Sequence, residues 1–348
     1  MTSPARTAVH WDTLELTNDE NRILSQRAEA IASNPYDDLR AFQAAAGHAW
    51  SELRVETHER VAALANGTSH RPELHITNLP AYQELDATPS RHVPGRRTAD
   101  GFLSEFLTLV FTAELGAPVS YRDQREGALF HDVFPTRVHS AAVSSYSSAV
   151  PLGFHTEMFF HPAPPDFLVL HCLREGPAAT RIAAFKDMVA TLDTDVAKLL
   201  TQPRFAIDLA RLHGSYRHHG RPIAEHDPRP VIAISTPSRL RFEAGLMTAI
   251  DQAAARAMHH AEQAADSASV DGVLRQGSLL LLDNRRAVHA RSPFDARFDG
   301  NDRWLRRTMV RAGTPTIGYH AHPDLELTAA WAQMGALVTD VPYLPRTA

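Results

Sequence analysis

Three residues that can bind a metal ion stand out by their type and spacing. Thr156 alone separates His155 from Glu157, and His289 lies much further along the chain. Two imidazoles and one carboxylate form the ligand set that holds Fe(II) on one face and leaves other coordination positions open. In an extended strand, side chains at i and i+2 point to the same side, about 6.5 Å apart. The spacing therefore predicts a strand across His155 and Glu157 and a metal site that His289 completes.

Two arginines follow the last of these residues. Arg303 lies fourteen residues after His289, and Arg307 lies four residues further on. If residues 303–310 form a strand, both guanidiniums lie on one face, about 13 Å apart. One could bind the distal carboxylate of a dicarboxylate such as 2-oxoglutarate, and the other could bind the carboxylate of a second substrate. The alternative interpretation is a pair of surface arginines in ordinary ion pairs.

The chain contains 20 histidines, so most of them need another explanation. His322-Pro323-Asp324 also fits the ligand pattern, but no later histidine could complete a triad there. We interpret it as a chance match. Surface or core positions are predicted for the remaining candidates, which are His161, His171, His218-His219 and His259-His260.

Two motifs give the sequence a specific family resemblance. They are Leu152–Glu157 (LGFHTE) and Asn284–Arg307 (NRRAVHARSPFDARFDGNDRWLRR). From about residue 70 onward the sequence resembles the clavaminate synthase-like branch of Fe(II)/2-oxoglutarate-dependent oxygenases, particularly the bacterial arginine, asparagine and lysine hydroxylases of free amino acids. The resemblance implies an α+β fold with a mainly β core, a double-stranded β-helix (jelly roll) with flanking helices. It also implies the use of Fe(II), 2-oxoglutarate and O2 to hydroxylate a free L-amino acid at C3 or C4.

The resemblance further implies a role for individual residues. Iron would be bound by His155, Glu157 and His289, which form the catalytic centre. The distal carboxylate of 2-oxoglutarate would be bound by Arg303 and Thr180. The amino-acid substrate would be bound by Arg307 at its carboxylate, by Gln124 at its amino-acid end, and by Ser145 elsewhere in the pocket.

The segment that would select the substrate side chain departs from the family pattern. Arginine hydroxylases carry two nearby acidic residues there, whereas Arg239–Gly245 contains one, Glu243. A single carboxylate suits a compact ammonium better than a planar guanidinium, which favours lysine over arginine as the substrate. Alternatively, Glu243 pairs with Arg241 or Arg239 on the surface, and the substrate is a neutral or carrier-bound amino acid.

Composition and organisation set further expectations. The 348 residues are 44% hydrophobic, enough for a large core, and the net charge of −5 gives no reason to expect nucleic acid or an anionic membrane as partner. One cysteine, Cys172, and the absence of a signal sequence or a long apolar run predict a cytoplasmic protein without a membrane partner. The oligomeric state stays open.

The order of sequence patterns predicts two regions. Residues 1–70 would form an N-terminal helical buttress, with helices from the Thr17–Glu20 capping box to about Ser33 and from Tyr36 to Ala65. Residues 71–348 would form the oxygenase core with a helical insert at about 248–266. The segment 213–230 is either a lid over the substrate or a plain surface loop.

Other enzyme classes lack their signatures. The sequence has no G-x-S-x-G, P-loop, H-E-x-x-H or G-x-G-x-x-G motif. A zinc hydrolase could use the same three ligands, but the arginine pair disfavours it. A non-catalytic binding protein with the oxygenase fold is disfavoured by the complete ligand set, and a halogenase by the presence of Glu157.

Overall fold

The computed structural model describes residues 10–82, 84–91, 101–121, 125, 128–142, 144–159, 164–207, 217–218, 221–222, 231–233, 239–312 and 337–339. The helices within these ranges are α1 (Asn18–Glu29), α2 (Leu39–Ser51), α3 (Val55–Ala65), α4 (Leu103–Leu115), α5 (Phe185–Ala190), α6 (Thr194–Leu200) and α7 (Gln252–Ala268). The strands are β1 (Thr13–Glu15), β2 (Glu73–Thr77), β3 (Ala117–Tyr121), β4 (Phe130–Val133), β5 (Leu152–His155), β6 (Phe167–Arg174), β7 (Thr180–Ala184), β8 (Phe205–Ile207), β9 (Arg217–His218), β10 (Arg221–Pro222), β11 (Ile232–Ala233), β12 (Arg239–Leu240), β13 (Met247–Ala249), β14 (Ser269–Gly272), β15 (Leu279–Asp283), β16 (Ala287–Arg291), β17 (Trp304–Arg311) and β18 (Leu337–Thr339).

Two larger sheets form the framework. The eight-stranded sheet has the order β1-β2-β15-β6-β17-β3-β18, with β4 paired to β17 beside β3. The four-stranded sheet has the order β14-β7-β16-β5. Strands β15 and β16 are consecutive in the chain but lie in different sheets, so the short turn between them carries the chain from one sheet to the other. The mixed α+β class with a sheet-rich core agrees with the expectation from the sequence.

Side-chain alternation along the large sheet divides the apolar core in two. In β15, Leu280 and Leu282 belong to a cluster that includes Ile182 of the small sheet, whereas Leu279 and Leu281 belong to a second cluster with helices α2 and α4. This is the period-2 pattern of a strand buried on both faces. Each buried leucine contributes about 1.5–3 kcal/mol relative to an exposed one. The large sheet therefore separates a helix layer from the layer that contains the small sheet.

The N-terminal helices follow the predicted pattern with two corrections, the first being that α1 ends at Glu29 rather than near Ser33. Helix α1 begins with the capping box, in which Thr17 and Glu20 bond each other's backbone N–H. The predicted single helix from Tyr36 to Ala65 is wrong, because residues 52–54 separate α2 from α3. Buried Glu20 explains the break: its carboxylate accepts from Arg54 N (3.2 Å) and Thr57 Oγ1 (2.7 Å) at the start of α3.

The other organisational predictions have mixed outcomes. The insert expected at about 248–266 corresponds to α7. Strand β1 pairs in parallel with β2, so residues before 70 contribute a strand to the large sheet; the boundary at residue 70 stays a prediction. Except for the short pair β9–β10, the segment 213–230 lies outside the described residues. Among the described helices, none is both long and apolar enough to span a membrane.

A fully buried histidine in the large sheet gives a stability prediction. His171 lies 3.3 Å from the Tyr82 hydroxyl, and burial, assisted by the positive charge of Arg306, lowers the pKa of its imidazole to about 3. Because the unfolded chain binds this proton near pH 6.5, the stabilising contribution is complete above that pH and is lost as the pH falls towards 3. Between pH 7.5 and pH 5 the loss is roughly 2 kcal/mol.

We expect His171→Leu to lower the acid sensitivity by about that amount. The measurement is the free energy of unfolding in urea at pH 7.5 and pH 5 for the wild type and the variant. Exposed His260, replaced by glutamine, provides the control. An equal loss of stability on acidification in wild type and His171→Leu would contradict the prediction.

Candidate iron and co-substrate site

The two predicted histidine ligands lie side by side in the small sheet. His155 ends β5, His289 lies in the middle of β16, and the two residues are direct partners across this antiparallel pair. Their ring centroids are 4.2 Å apart. Cross-strand partners point to the same face of a sheet, so the long-range pairing brings together two imidazoles that are far apart in sequence.

Glu157 reaches the histidines in a different way from the one predicted. Strand β5 ends at His155, and Glu157 lies in the turn that follows, so the expected strand across both residues is wrong. The Asn284 side chain holds this turn by bonding the Glu157 backbone at both groups, with Oδ1 accepting from N (2.8 Å) and Nδ2 donating to O (3.1 Å). Asn284 belongs to the turn between β15 and β16, so one turn positions both Glu157 and His289.

The three side chains together fit a metal ion. One donor atom of each lies within 4.8 Å of the others, and within the described part of the chain they are the only such group. Glu157 is 6% exposed and His289 is 9% exposed. His155 Nδ1 bonds the carbonyl of Gly153 (2.9 Å), which places the proton on Nδ1 and leaves Nε2 available as a ligand.

The electrostatics of His289 also suit a ligand. Burial lowers the pKa of its imidazole well below the ordinary value, and the neighbouring His155 ring and Arg307 act in the same direction. The ring is therefore neutral and keeps a lone pair. Its Nδ1 is buried and has no hydrogen-bond partner among the described residues. Two imidazoles and a carboxylate are the donor set of the facial triad that binds Fe(II).

Strand β17 has the predicted alternation, although it begins at Trp304 rather than Arg303. Leu305 and Met309 pack in the cluster that includes the small sheet, whereas Trp304 and Val310 pack with the helices. Arg307 shares the first of these faces. Arg303 and Arg307 are 8% and 9% exposed, so the alternative of two surface ion pairs does not hold.

Arg303 lies beside strand β7, at one end of the site. Its Nη2 donates to Thr180 Oγ1 (3.4 Å), and no carboxylate of the described residues pairs with it. Burial lowers the pKa of this guanidinium to about 10. Gly176 allows the close approach, because a Cβ at this position would lie 2.7 Å from Arg303 Cβ. A buried cation without an anionic partner is costly, so this position suits an anionic ligand.

A second buried arginine near this end escaped the sequence reasoning. Arg291 lies directly opposite Thr180 across the β16–β7 pair, on the same strand as His289 and two residues after it. Its guanidinium donates to the carbonyls of Ser147 and Val150, and its charge helps to lower the pKa of Arg303. No carboxylate among the described residues pairs with Arg291 either. Two buried guanidiniums that lack a carboxylate partner within the described chain thus act on each other at this end of the site.

Arg307 lies between the metal ligands and strand β4. Its Nη1 donates to Glu157 Oε2 (2.5 Å), and its Nη2 lies 3.0 Å from His131 Nδ1. Its Nε is buried and has no partner among the described residues. One donor of a guanidinium beside the triad thus has no partner among the described residues.

Glu243 lies on the other side of the triad. It forms an isolated antiparallel bridge with His155, and its Oε2 is 4.0 Å from His155 Nδ1. Burial raises the pKa of this carboxyl, while the nearby His155 opposes the shift. At 6% exposure Glu243 is not a surface residue, and no arginine or lysine pairs with it in the described part of the chain.

The two remaining predicted substrate residues are not brought to the triad by the described contacts. Ser145 lies in the loop before β5, where its Oγ accepts from Arg125 Nη2 (3.4 Å). Gln124 lies outside the described residues. Sequence reasoning also missed Asn284 and His131. Asn284 is inside a quoted motif and directly follows the buried strand, which is a usable signal, whereas His131 has no distinguishing spacing.

Comparison with known proteins agrees with this geometry. Residues 102–309 match the family described as "Taurine catabolism dioxygenase TauD, TfdA family". An L-lysine 3-hydroxylase from Catenulispora acidiphila is 31% identical over 304 residues, covering 86% of this chain and 84% of that protein.

Solved structures extend the similarity to the fold. Asparagine oxygenase in complex with Fe(II), 2S,3S-3-hydroxyasparagine and succinate has a TM-score of 0.76 at 27% identity, covering 86% of this chain and 93% of that one. The non-haem iron oxygenase OrfP in complex with Fe and α-ketoglutaric acid has a TM-score of 0.74 at 27% identity, covering 86% and 94%. The chain belongs to the TauD/TfdA family and is an Fe(II)/2-oxoglutarate-dependent amino-acid oxygenase of the clavaminate synthase-like branch.

Proposed function

We propose that this enzyme hydroxylates C3 or C4 of a free basic L-amino acid, with lysine preferred over arginine. The observation that carries the proposal is the buried Glu243 carboxylate, which lies beside the ligand His155 and has no arginine or lysine partner in the described chain. A buried carboxylate whose pKa is raised by burial gains stabilisation from a ligand cation. The similarity to an L-lysine 3-hydroxylase supports the same choice.

Different residues in and around the triad are proposed to bind the metal and the co-substrate. We assign His155, Glu157 and His289 to the metal, and Arg303 with Thr180 to the distal carboxylate of 2-oxoglutarate. When bound, iron, 2-oxoglutarate and O2 supply the oxidant that replaces a C–H bond with C–OH. Arg291 adds positive charge at the co-substrate end. The protein itself holds 2-oxoglutarate and the amino acid in a fixed relative position, and this position decides which carbon reacts.

Arg307 would hold the carboxylate of the amino acid. Its guanidinium already contacts Glu157 and retains an unpartnered buried Nε, so a carboxylate bound there lies next to a metal ligand. The carbons close to that carboxylate, C3 first and C4 second, are then nearest to the metal. The opposite end of a basic amino acid would point to Glu243. A single carboxylate matches an ammonium better than a guanidinium, which favours forked partners.

The proposed architecture around these residues is a double-stranded β-helix. The two larger sheets, the crossing from β15 to β16 between them, and the shared apolar cluster support this assignment. Placing the triad inside such a core would exclude water from the reacting groups.

The assignment of the metal ligands predicts loss of metal binding. His155→Ala or His289→Ala should lower Fe(II) affinity at least about 100-fold, because even the loss of a residue that only hydrogen-bonds a metal ligand costs up to about 100-fold. The circular dichroism spectrum should be unchanged. Anaerobic Fe(II) loading followed by metal analysis measures this directly, and succinate release should vanish. Exposed His260→Ala is the control. Normal iron content in either ligand variant would reject the assignment.

The assignment of Arg303 predicts a selective loss of co-substrate binding. Arg303→Ala should raise the KM for 2-oxoglutarate by a factor that corresponds to about 2–5 kcal/mol, the cost of breaking a buried ion pair, with a much smaller change for the amino acid. Arg181→Ala is a matched control, because Arg181 adjoins Thr180 on β7 but pairs with Asp266 and Asp271. An unchanged 2-oxoglutarate KM would point to another anchor.

The proposed substrate class is tested by succinate release over the free L-amino acids. Lysine or arginine should stimulate 2-oxoglutarate turnover well above asparagine, leucine or glutamate. Glu243→Gln should weaken the basic substrate by about 1.5–3 kcal/mol, because a charge-assisted hydrogen bond is lost.

Glu262→Gln is the control for the substrate test, since this carboxylate on α7 is exposed but still influences the pKa of Glu243. If a neutral amino acid is the best substrate, or if Glu243→Gln binds lysine as the wild type does, the cation-binding role is wrong. The iron and 2-oxoglutarate assignments would be unaffected by that result.

A further inference from the structure

His131 is a fully buried histidine that lies opposite the proposed carboxylate anchor. It is the direct cross-strand partner of Arg307 in the β4–β17 pair, and its Nδ1 is 3.0 Å from Arg307 Nη2. Neither of the two sequence motifs includes it. Its contact with Arg307 joins residues that are 176 positions apart.

The hydrogen bonds of this pair fix the proton on the imidazole ring. A guanidinium only donates, so His131 Nδ1 must accept the bond from Arg307. The other nitrogen, Nε2, lies 2.8 Å from the carbonyl oxygen of Ala128, which only accepts. The proton therefore lies on Nε2. A neutral ring held at both nitrogens has one orientation, and it presents a fixed acceptor to Arg307.

Strand β4 provides a hydrogen-bond acceptor to an arginine on each face of β17. It pairs with Leu305–Thr308, while β3 pairs with the following residues of the same strand. The side chain after His131, Asp132, points to the opposite face and accepts from Arg306 Nε (3.1 Å) and Nη2 (2.9 Å). Two consecutive residues of one short strand thus fix two consecutive arginines.

This arrangement limits the freedom of Arg307. A long arginine side chain has many rotamers, and each fixed contact removes some of them. With Nη1 on Glu157 and Nη2 on His131, the guanidinium plane is set by two partners on different elements. The buried Nε then has a defined direction.

We infer that His131 is a positioning residue, which holds Arg307 in the orientation that takes the carboxylate of the amino-acid substrate. The inference rests on the proposed role of Arg307. It predicts that loss of the acceptor at Nδ1 weakens binding of the amino acid and leaves the affinity for 2-oxoglutarate unchanged, since Arg303 and Thr180 lie elsewhere on the sheets.

The test uses substitutions that differ in where they place an acceptor. Asparagine at position 131 retains a carbonyl oxygen near the place of Nδ1, glutamine reaches towards the place of Nε2, and leucine retains neither. His171 is equally buried in the same sheet but contacts Tyr82, so His171→Asn controls for the general cost of changing a buried histidine. Arg307→Ala is the reference for complete loss of the anchor.

The probe is the free L-amino acid that releases the most succinate in the screen above. Its dissociation constant is measured by calorimetry with Fe(II) and 2-oxoglutarate in the absence of O2, together with both KM values. We expect His131→Leu to weaken its binding at least about tenfold, His131→Asn to stay within about threefold of the wild type, and the KM for 2-oxoglutarate to stay constant.

The outcomes distinguish a failure of the positioning role of His131 from a failure of the carboxylate-binding role of Arg307. If Arg307→Ala weakens binding but His131→Leu does not exceed the His171→Asn control, the positioning role is overturned and the anchor stands. If Arg307→Ala binds the amino acid as the wild type does, the proposed anchor fails and the inference fails with it. Should His131→Leu not fold, equal affinity in the Asn and Gln variants at position 131 overturns the inference, and weaker binding in the Gln variant supports it.

Discussion

The structure depends on how the buried guanidiniums near strand β17 are neutralised. Arg306 is fully buried on the helix side and pairs with Glu105 of α4 (2.6 Å) and Asp132 of β4 (2.9 Å). These carboxylates raise the pKa of Arg306 well above its ordinary value, despite the opposing effect of burial. An unpaired charge in such a place would cost several kcal/mol. The helix layer is therefore joined to the central sheet by an ion-pair network that is complete within the protein.

On the other face of the same sheet the neutralisation is incomplete, and that is where the chemistry is proposed. Arg307 has one carboxylate partner, Glu157, which is also a proposed metal ligand. Arg303 and Arg291 have none among the described residues. Alternation along β17 thus directs Arg306 towards the helices and Arg307 towards the triad, where Arg303 before β17 and Arg291 on β16 are the cations that lack a carboxylate partner within the described part of the chain. In the proposed function, dianionic 2-oxoglutarate and the carboxylate of the amino acid would supply the missing negative charge, so ligand binding would complete the charge neutralisation that folding leaves unfinished on this side.

The sequence predicted those parts of the site that depend on local periodicity. The spacing of Arg303 and Arg307 predicted that both lie on one face, because side chains alternate strictly along a strand. Prediction from the sequence failed where tertiary contacts override the local pattern. Glu157 lies in a turn because the distant Asn284 side chain bonds its backbone, and the helix predicted from Tyr36 breaks because buried Glu20 recruits the start of α3. His131 and Arg291 were missed because their partners lie more than a hundred residues away, and one sequence contains no trace of that pairing.

The two ends of the proposed substrate site are attached to the sheets in different ways. The carboxylate end is held by Arg307 on β17, a strand with paired neighbours on both edges, and by His131 on β4. The side-chain end is held by Glu243, whose backbone joins the small sheet through a single bridge to His155. Every amino acid shares the group that the first end binds, whereas amino acids differ in the group that the second end reads. If Glu243 has the proposed role, a substitution near it would change the preferred side chain with little effect on the sheet that carries the triad. Such a separation would let one architecture serve different side chains, and this chain is indeed similar both to an L-lysine 3-hydroxylase and to an asparagine oxygenase.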